Sequence, residues 1–509
     1  MTQTAPARRS LLDRVADALD RAILAVSPER GVRRIALRQN WKRIEERIAK
    51  NRGLDSSNPG DTRGDRWLSS RLSARDVEEE DLESSRHNSR ELYRTDGIGG
   101  SVDSRVNHVV GATFTIQARI PDQDDLNRLI EAELEDWMQR IDVDGTRSLW
   151  QTLRLIERCH AVDGEAFVIL SDVGSADKPI PLTVEVVDSD RVCTPPEHAA
   201  NARIRMGIER DARKRIVAYW IRRESPFDSK TTDVAFDRVP AARVLHLFDP
   251  WFAEATRGLP WMVRIQNRVK DIRDLDEANL IAMQVEASFA ASSGSTASGR
   301  RLQDVLPGAI QYLNRGETIK FANPNRSGGN YGQSLKLNYH RVAAGMNEPY
   351  EMLMKDWDGV SFAGGRIILA EKKISSAVFR RLLIERVLVP IYHRALDELV
   401  IVGAIPLDPR LYNARRAFYR RHQWMGPGWE YAINPVDEIR ADIEAVGANF
   451  KTRAQVVAER SGQDAEVIDR ERRRERQRER DYEIVPPELA EADATLVESD
   501  APTPAGAAA

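Results

Sequence analysis

A long helical repeat of apolar residues between positions 259 and 290 is the feature that most limits how this chain can fold. The apolar positions recur every three to four residues and so mark one side of a helix. They are Met262, Ile265, Val269, Ile272, Leu275, Leu280 and Met283. An α-helix of this length would extend about 48 Å. An apolar stripe so long has to be covered along much of its length, so the fold must supply a partner for it.

Length and charge narrow the class of protein. The chain has 509 residues, enough for about two or three domains with more than one hydrophobic core. Charged residues make up 30% of the sequence, and the formal net charge is -3. A protein that coats DNA is strongly basic, so this balance argues against that class. The same charge balance is compatible with a protein that encloses DNA without binding it tightly. Residues 1–60 are rich in arginine, whereas no basic residue follows Arg480.

Cysteine content and hydropathy indicate where the protein is made. The two cysteines, Cys159 and Cys193, are too few for a disulfide framework and form no CxxC pair, which predicts reduced thiols. No apolar run approaches the roughly 18 residues of a membrane span. Arg8 and Arg9 are not followed by the apolar block of a secretory signal. We therefore expect a protein that stays in the cytoplasm, or in a particle assembled there.

The first half of the chain predicts helices and then an α+β domain. The predicted helices of this half lie at 11–26, 30–51, 70–95, 124–142 and 149–162. The segments with β-branched or alternating residues, predicted to be strands, lie at 112–120, 166–170, 182–187, 203–208 and 216–221. A loop rich in Gly, Ser, Asn and Pro at 53–64 separates the first helices from the rest. Together the later elements predict an α+β domain at about 65–255.

The second half is predicted to be mainly helical. Its predicted helices lie at 259–290, 333–347, 366–401, 436–449 and 452–480. Three segments separate the first two helices. They are a small polar link at 287–299, a strand-rich piece at 305–322 and a Gly/Asn/Pro loop at 323–332. Residues 403–435 predict a compact unit of strand and loop. The acidic, Pro- and Ala-rich tail at 481–509 is predicted to be disordered.

The sequence carries no recognisable catalytic or metal-binding motif. Residues 328–336 have the glycines of a phosphate loop but lack its Gly-Lys-Ser/Thr end. There is no HExxH, no Gly-x-Ser-x-Gly elbow and no histidine pair at i, i+4 spacing on a predicted helix. The acids Glu165, Asp188 and Asp190 lie near strand ends, where a surface turn is a commoner explanation than catalysis. The sequence therefore predicts a structural protein without enzyme activity, metal or cofactor.

The basic run at 470–480 has two interpretations. Its sequence, RERRRERQRER, contains seven arginines and three glutamates. The commoner explanation is a solvated helix stabilised by i, i+4 ion pairs. The alternative is contact with DNA phosphates, which the interspersed glutamates are expected to weaken.

Several short motifs, in the same order along the chain, resemble the lambda family of phage portal proteins. They are residues 89–97 (SRELYRTDG), 106–111 (VNHVVG), 164–167 (GEAF), 246–250 (HLFDP), 256–261 (TRGLPW), 306–310 (LPGAI), 313–317 (LNRGE) and 343–353 (AAGMNEPYEML). The last is similar to the family motif Ala-Ala-Gly-x-x-x-x-Tyr-Glu-x-Leu. The resemblance depends on the order and spacing of these motifs, which together cover about residues 70–470. Residues 361–366 (SFAGGR) depart from the family's usual Ser-Ser/Thr-x-Arg pattern.

The resemblance implies a portal fold of the α+β class, with an α/β wing, a long-helix stem, a small strand-containing clip and a helical crown, assembled as a ring. The implied divisions are basic N-terminal helices and linker 1–64, wing 65–255, stem helix 259–290, clip 291–332, second stem helix 333–347, channel loop 354–366, wing helix and strand-loop unit 366–435, crown helices 436–480 and disordered acidic tail 481–509. A neighbouring subunit of the ring would supply the partner that the apolar stripe requires.

The resemblance also implies a function. The ring would form the DNA channel at one capsid vertex, dock the terminase during packaging and the head–tail connector afterwards, and serve as the exit for DNA on ejection. Its partners would be other copies of itself, usually twelve, double-stranded viral DNA, the terminase large subunit, the major capsid and scaffold proteins and head–tail connector proteins. It would be assembled in the host cytoplasm and reside in the virion, without membrane contact. The alternatives are another head–tail adaptor ring, although adaptors are much shorter, and a DNA-packaging enzyme.

Two sets of candidate functional residues follow from the resemblance. The channel loop is assigned Lys355, Asp356, Trp357, Asp358, Gly359, Ser361, Phe362, Gly364, Gly365 and Arg366. The subunit interface of the stem is assigned Met262, Ile265, Val269, Ile272 and Leu275. In the loop, Asp356 and Asp358 would repel phosphate, and the glycines would permit large backbone changes. Trp357 and Phe362 could meet neighbouring loops or the duplex, although burial in the subunit's own wing is the commoner fate of large aromatic residues.

Overall fold

The structure is a computed structural model that describes residues 73–112, 114–172, 180–228, 234–289, 331–428 and 434–482. The predicted N-terminal helices, nearly all of the predicted clip and the predicted acidic tail lie outside these residues. The chain divides into two compact units, Met1–Val77 and Glu78–Ala509. Every element described below, apart from the start of the first helix, belongs to the second unit.

The described helices and strands alternate in the first half, and helices dominate the second. The helices are α1 (Ala74–Thr95), α2 (Gly99–Val109), α3 (Asp124–Met138), α4 (Leu149–Asp163), α5 (Gln266–Phe289), α6 (Tyr331–Met346), α7 (Tyr350–Met354), α8 (Phe362–Leu383), α9 (Val389–Val402), α10 (Pro409–Ala414), α11 (Arg416–Tyr419), α12 (Pro435–Gly447), α13 (Arg453–Ser461) and α14 (Ala465–Asp481). The strands are β1 (Thr115–Ala118), β2 (Glu165–Ser171), β3 (Thr183–Val187), β4 (Ile204–Arg205), β5 (Ile208–Arg210), β6 (Ile216–Arg222), β7 (Phe236–Pro240), β8 (Val244–Phe248) and β9 (His422–Met425).

These strands form three small antiparallel sheets within the described part of the chain. Their orders are β1-β9, β3-β2-β8 and β4-β5-β6-β7. Strand β2 is central in its sheet, with Phe167 opposite Val187 on one side and His246 on the other. The mixed, mostly helical architecture with antiparallel sheets confirms the predicted α+β class.

The main hydrophobic core joins the α+β region to a helix from much later in the chain. Buried side chains of α3, α4, β2 and β3 pack with those of α9, among them Ile391, Tyr392 and Leu396. Trp137 in α3 donates its indole N–H to the backbone oxygen of Leu182, at 2.9 Å. The helix predicted at 366–401 therefore packs on the α+β region.

A π-helical turn interrupts that long helix. Residues 362–402 are continuously helical, but Ile384–Leu388 forms a π-turn between α8 and α9. Pro390 follows it at the start of α9. Proline has no N–H to donate and its ring crowds the preceding turn, which accounts for the local widening.

Several predicted boundaries are wrong for identifiable physical reasons. The strand predicted at 203–208 is a hairpin, because Met206 and Gly207 have φ values of 50° and 80° and turn the chain between β4 and β5. The helix predicted at 452–480 is two helices, since Gly462 (φ 70°) ends α13 and Asp464 caps α14. The strand-and-loop unit predicted at 403–435 contains β9 but also two short helices, α10 and α11.

The helix predicted at 259–290 starts later than expected, at Gln266. The N–H of Trp261 donates to the backbone oxygen of Ala161 in α4, at 3.0 Å. The next residues form tight turns, with Val263 N–H bonded to Pro260 at 2.9 Å and Ile265 N–H bonded to Met262 at 3.0 Å. Tertiary contact with α4 therefore fixes this segment before the helix begins.

Among the described residues, no helix is both long and apolar enough to cross a membrane. Within the same residues, no group of His, Cys, Asp and Glu side chains is arranged to hold a metal ion.

Candidate functional site

The loop between α7 and α8 is shorter than predicted and is anchored at both ends. Helix α7 ends at Met354, and the residue that caps it, Lys355, has a left-handed φ of 56°. Helix α8 begins at Phe362, and the Ser361 hydroxyl accepts a hydrogen bond from the N–H of Gly364 at 3.1 Å. The loop is therefore 355–361.

The last four residues assigned to the channel loop belong to a helix. Phe362, Gly364, Gly365 and Arg366 form the first turn and a half of α8. The glycines are therefore not hinges in an irregular segment, and this part of the prediction is corrected. Gly359, with φ of 73°, is the glycine that turns the chain within the loop itself.

Asp356 ties the loop to the preceding helices. Its carboxylate accepts hydrogen bonds from the Lys336 ammonium of α6 and from the Tyr350 hydroxyl of α7, both at 3.0 Å. It also accepts one from the N–H of Asp358, at 3.2 Å. The Tyr350 ring stacks on His340 of α6, with centroids 4.0 Å apart. Asp356 thus holds the loop against α6, and its charge is already paired with a lysine.

The other residues assigned to the channel loop, apart from Gly364 and Gly365, are exposed. Trp357 is 49% exposed and Phe362 is 58% exposed. Lys355, Asp358, Gly359, Ser361 and Arg366 are exposed as well. The large aromatic residues are therefore not buried in the subunit's own wing. The surface carries two cations, one exposed carboxylate and two apolar rings.

A buried ion pair lies behind the loop. The Lys372 ammonium of α8 is 2.6 Å from a carboxylate oxygen of Glu348, in the turn between α6 and α7, and both side chains are almost wholly buried. Burial lowers the pKa of Lys372, although Glu348 opposes the shift. The pair joins the middle of α8 to the turn after α6, so the loop spans two elements that are fixed to each other.

The stem residues split into a buried half and an exposed half. Met262, Ile265, Val269 and Ile272 are buried in a second core with residues of α1, α2, α4 and α6. Their apolar partners come from the same chain, so the structure places these four inside the subunit and not on its surface. Leu275, 40% exposed, is the predicted stem residue that remains accessible. Beyond it Leu280, Ile281 and Met283 are all more than half exposed.

The GEAF and TRGLPW motifs meet at a close backbone crossing. Gly164, with φ of 86°, ends α4. Gly258 lies so near that a Cβ atom on it would come within 1.9 Å of the Gly164 oxygen. Only glycine permits such an approach. The crossing brings Glu165 and Arg257 together.

Glu165 is the centre of a buried ionic cluster. Its carboxylate accepts hydrogen bonds from Arg86 and from Nε of Arg257, the latter at 2.8 and 2.9 Å to the two oxygens. Nε2 of His246 in β8 lies 2.8 Å away. Other guanidinium N–H groups of Arg257 donate to the backbone oxygens of residues 189, 192 and 206. Burial alone would raise the pKa of Glu165, but the charges of Arg257 and Arg86 outweigh it and hold that pKa below its ordinary value.

Two further acids near a strand end, Asp188 and Asp190, join the same cluster. Asp190 lies 2.6 Å from Arg90 and 3.4 Å from Arg86, and Asp188 lies 2.8 Å from Arg90. Arg90 also binds Asp163 through two hydrogen bonds, of 2.7 and 2.8 Å. Each of these carboxylates is paired with arginine, as in a structural ionic network. Their arrangement accounts for the acids without catalysis.

The cluster predicts a loss of stability in mild acid. Burial lowers the pKa of His246, so the folded state resists a proton that the unfolded chain binds as pH falls through about 6.5. Glu165 acts in the same direction at lower pH, because its folded pKa lies below its unfolded value. The midpoint of thermal unfolding should fall between pH 7 and pH 4. We expect His246→Gln to flatten the part of this dependence between pH 7 and 5, and an unchanged profile in that variant would contradict the assignment.

Comparison with known proteins identifies the family. The sequence model of the family described as "Phage portal protein, lambda family" matches residues 60–377, more than half of the chain. The chain belongs to the lambda family of phage portal proteins. The match spans the α+β region, α5, α6, the loop and most of α8.

Individual portal proteins are similar over most of their length. A probable portal protein of Halomonas phage phiHAP-1 is 23% identical over 369 residues, covering 68% of this chain and 69% of that protein. Portal protein B of Escherichia phage lambda is 22% identical over 455 residues, covering 79% and 85%. The portal protein of Escherichia phage N15 is 20% identical over 462 residues, covering 80% and 87%.

Solved structures of gene transfer agent particles are also similar. A chain from the neck of the native particle, computed with C12 symmetry, has a TM-score of 0.38 and 12% identity, covering 75% of this chain and 94% of that one. A chain from the neck of the empty particle, computed with C6 symmetry, has a TM-score of 0.36 and 11% identity, covering 73% and 92%.

Membership of the portal family decides between the sequence-based alternatives. Portal proteins are structural components of phage particles and not enzymes, so a DNA-packaging enzyme is excluded. The buried charges of this portal subunit, chiefly Arg86, Arg257 and Lys372, are not predicted from the sequence. One signal was available for Glu165, the partner of Arg86 and Arg257, because it stands two residues before Phe167 in a strand and so shares its inward face.

Proposed function

We propose that this portal protein forms a closed ring of twelve copies at one vertex of a phage capsid, with double-stranded DNA passing through the central channel. The match of the family model over residues 60–377 is the observation that carries the proposal. In this scheme the clip at 291–332 docks the terminase large subunit during packaging and head–tail connector proteins afterwards. The ring meets the major capsid and scaffold proteins during assembly in the host cytoplasm, and DNA leaves through it on ejection.

The distal half of the stem is the proposed subunit interface. Leu275, Leu280, Ile281 and Met283 of α5 expose apolar side chains beyond the second core, and Leu337 of α6 is 55% exposed. Such side chains are stabilised when another surface covers them. In a head-to-tail ring each subunit offers two different faces, and the rotation closes the set. This assignment replaces four of the five interface residues predicted from sequence and keeps Leu275.

The loop 355–361 is the proposed channel lining. Its exposed charges are mixed, with Lys355 and the nearby Arg366 opposed by Asp358, while Asp356 is paired with Lys336. Each neutralised phosphate adds affinity for DNA, so a loop past which DNA slides needs few strong cationic contacts. A balanced loop held by Asp356 meets that requirement. Trp357 is available to touch the duplex or the loop of a neighbouring subunit.

Electron microscopy of the purified full-length chain tests this proposal. We expect a ring with a central hole, and loop 355–361 on the wall of that hole. A protein that stays monomeric at micromolar concentration, or forms an open filament, would contradict ring formation. A closed ring with this loop on its outer surface would remove the loop from the channel while leaving the ring intact.

A further inference from the structure

The C-terminal half of helix α14 presents an unusual charge pattern. Residues 470–480 read RERRRERQRER, and all seven arginines are exposed. The helix is well defined at its start, where the Asp464 carboxylate accepts a hydrogen bond from the N–H of Glu466 at 3.0 Å. It continues to Asp481, so the whole run is helical.

The helix sorts these charges onto separate faces. Residues four apart in an α-helix lie about 40° apart around its axis. Glu471, Glu475 and Glu479 follow this spacing and form one narrow stripe. The seven arginines and Gln477 occupy the rest, about 240° of the circumference. We call this surface the arginine face. The glutamates therefore do not dilute it, contrary to the expectation from the linear sequence.

Within the run itself, the spacing of the charges does not favour i, i+4 ion pairs on the arginine face. Within the run every i, i+4 pair has like charge, apart from Arg473 with Gln477, and like-charge pairs destabilise a helix. The expected i, i+4 ion pairs are therefore wrong. Among the described residues, arginines 472–480 have no ion-pair partner, and Arg470 donates only to the backbone oxygen of Glu466. An anion bound to this face would relieve the repulsion.

We propose that the arginine face of α14 binds the phosphate backbone of duplex DNA without reading its sequence. Guanidinium groups suit phosphate because they donate paired N–H groups to its oxygens. The run is about 16 Å long, and duplex DNA carries one charge per roughly 1.7 Å of its axis, so about nine phosphates of the two strands lie along the length of the run. The face has a single amide side chain, Gln477, for base contacts. The biological setting rests on the proposed function, since the DNA would be that of the phage.

The acidic residues that follow the helix are the competing anion. Residues 483–509 contain six Asp and Glu and no Lys or Arg. This acidic segment is part of the same chain as the helix, whereas DNA brings a much higher density of charge. We therefore expect DNA to prevail, and truncation after Tyr482 to leave DNA affinity unchanged or raise it. Loss of binding on truncation would overturn the proposal.

The direct test measures binding of a 30-base-pair duplex of arbitrary sequence to the full-length protein over a range of KCl concentrations. The face variant replaces Arg470, Arg473, Arg476 and Arg480 by glutamine. Its matched control replaces four exposed arginines elsewhere, namely Arg94, Arg128, Arg203 and Arg410, by glutamine. Both variants lose four positive charges, at different positions on the subunit.

We expect the face variant to lose at least about tenfold in affinity at 100 mM KCl, and its salt slope to fall by roughly 0.9 for each phosphate contact removed. The control variant should match the wild-type protein both in affinity at 100 mM KCl and in salt slope. Equal losses in the two variants would show that net charge alone matters, and wild-type binding by the face variant would overturn the site. Light scattering separates the two proposals. If the face variant forms rings and binds DNA as tightly as the wild-type protein, only the arginine face is refuted. If the wild-type protein forms no rings, only the proposed function is refuted.

Discussion

Replacing Glu165 by glutamine is expected to destabilise the subunit by about 3–5 kcal/mol, because it removes one partner from a buried ionic cluster. The side chains of Arg86 and Arg257 are almost completely buried and both bind this carboxylate. Glutamine has nearly the same shape but no charge, so two guanidinium groups would stay in the interior without their shared anion. Glu165 also accepts the N–H of Gly258 at the crossing that precedes the stem. The loss should therefore loosen the junction as well as the sheet.

Chemical denaturation followed by circular dichroism measures this loss. The matched control is Asp237→Asn, which breaks a pair with Arg223 that is about half exposed on both sides. Solvent screens that pair, so its loss should cost under about 1 kcal/mol. Similar midpoints for the two variants would show that the cluster contributes no more than a surface ion pair.

The sequence predicted the helical parts of the fold well, because their signals are local. Apolar spacing and capping residues specify α4 closely, and Ser148 forms the capping box that begins it. The helices predicted at 333–347 and 366–401 are likewise confirmed by α6 and by α8 with α9. The late start of α5 depends on a hydrogen bond to Ala161, about a hundred residues earlier, and has no local signal.

The ionic cluster illustrates a second limit of sequence reasoning. Glu165, Arg86 and Arg257 are separated by 79 and 92 residues in the chain. Each is a common residue in an ordinary local context, and only the fold shows that they share one buried site. The same holds behind the candidate channel loop, where the pair of Lys372 and Glu348 depends on how α8 packs against the end of α6. The predicted loop residues were in the correct region, but the helix start at Phe362 depends on capping by Ser361.

The apolar stripe shows a third limit, since a pattern predicts burial but not which chain provides it. From the sequence pattern alone, the whole stripe is predicted to be one surface. The structure divides it at Ile272, with the subunit's own helices covering one half and leaving the other exposed. Two substitutions of the same kind on one helix can therefore affect different properties, one the folding of the subunit and the other its assembly.

Ile272→Asp and Leu280→Asp are expected to separate folding from assembly. Ile272 is 3% exposed, and a carboxylate there would be buried without a partner, so we expect a loss of at least about 3 kcal/mol and aggregated or unfolded protein. Leu280 is 58% exposed in the single subunit, so aspartate at that position should leave the melting curve of the subunit nearly unchanged. If the distal stem is the subunit interface, the same aspartate would repeat in every copy of the ring and prevent closure.

Circular dichroism and size-exclusion chromatography with light scattering read the two effects independently. The Ile272→Asp variant should lose its cooperative melting transition, whereas the Leu280→Asp variant should keep it and elute as a monomer. Intact rings from Leu280→Asp would move the interface away from the distal stem, to another exposed apolar face such as that of α8, where Ile367, Ile374 and Val378 are all more than 60% exposed. Normal folding of Ile272→Asp would instead show that the second core tolerates a charge, and that the stripe is covered less completely within the subunit than its burial indicates.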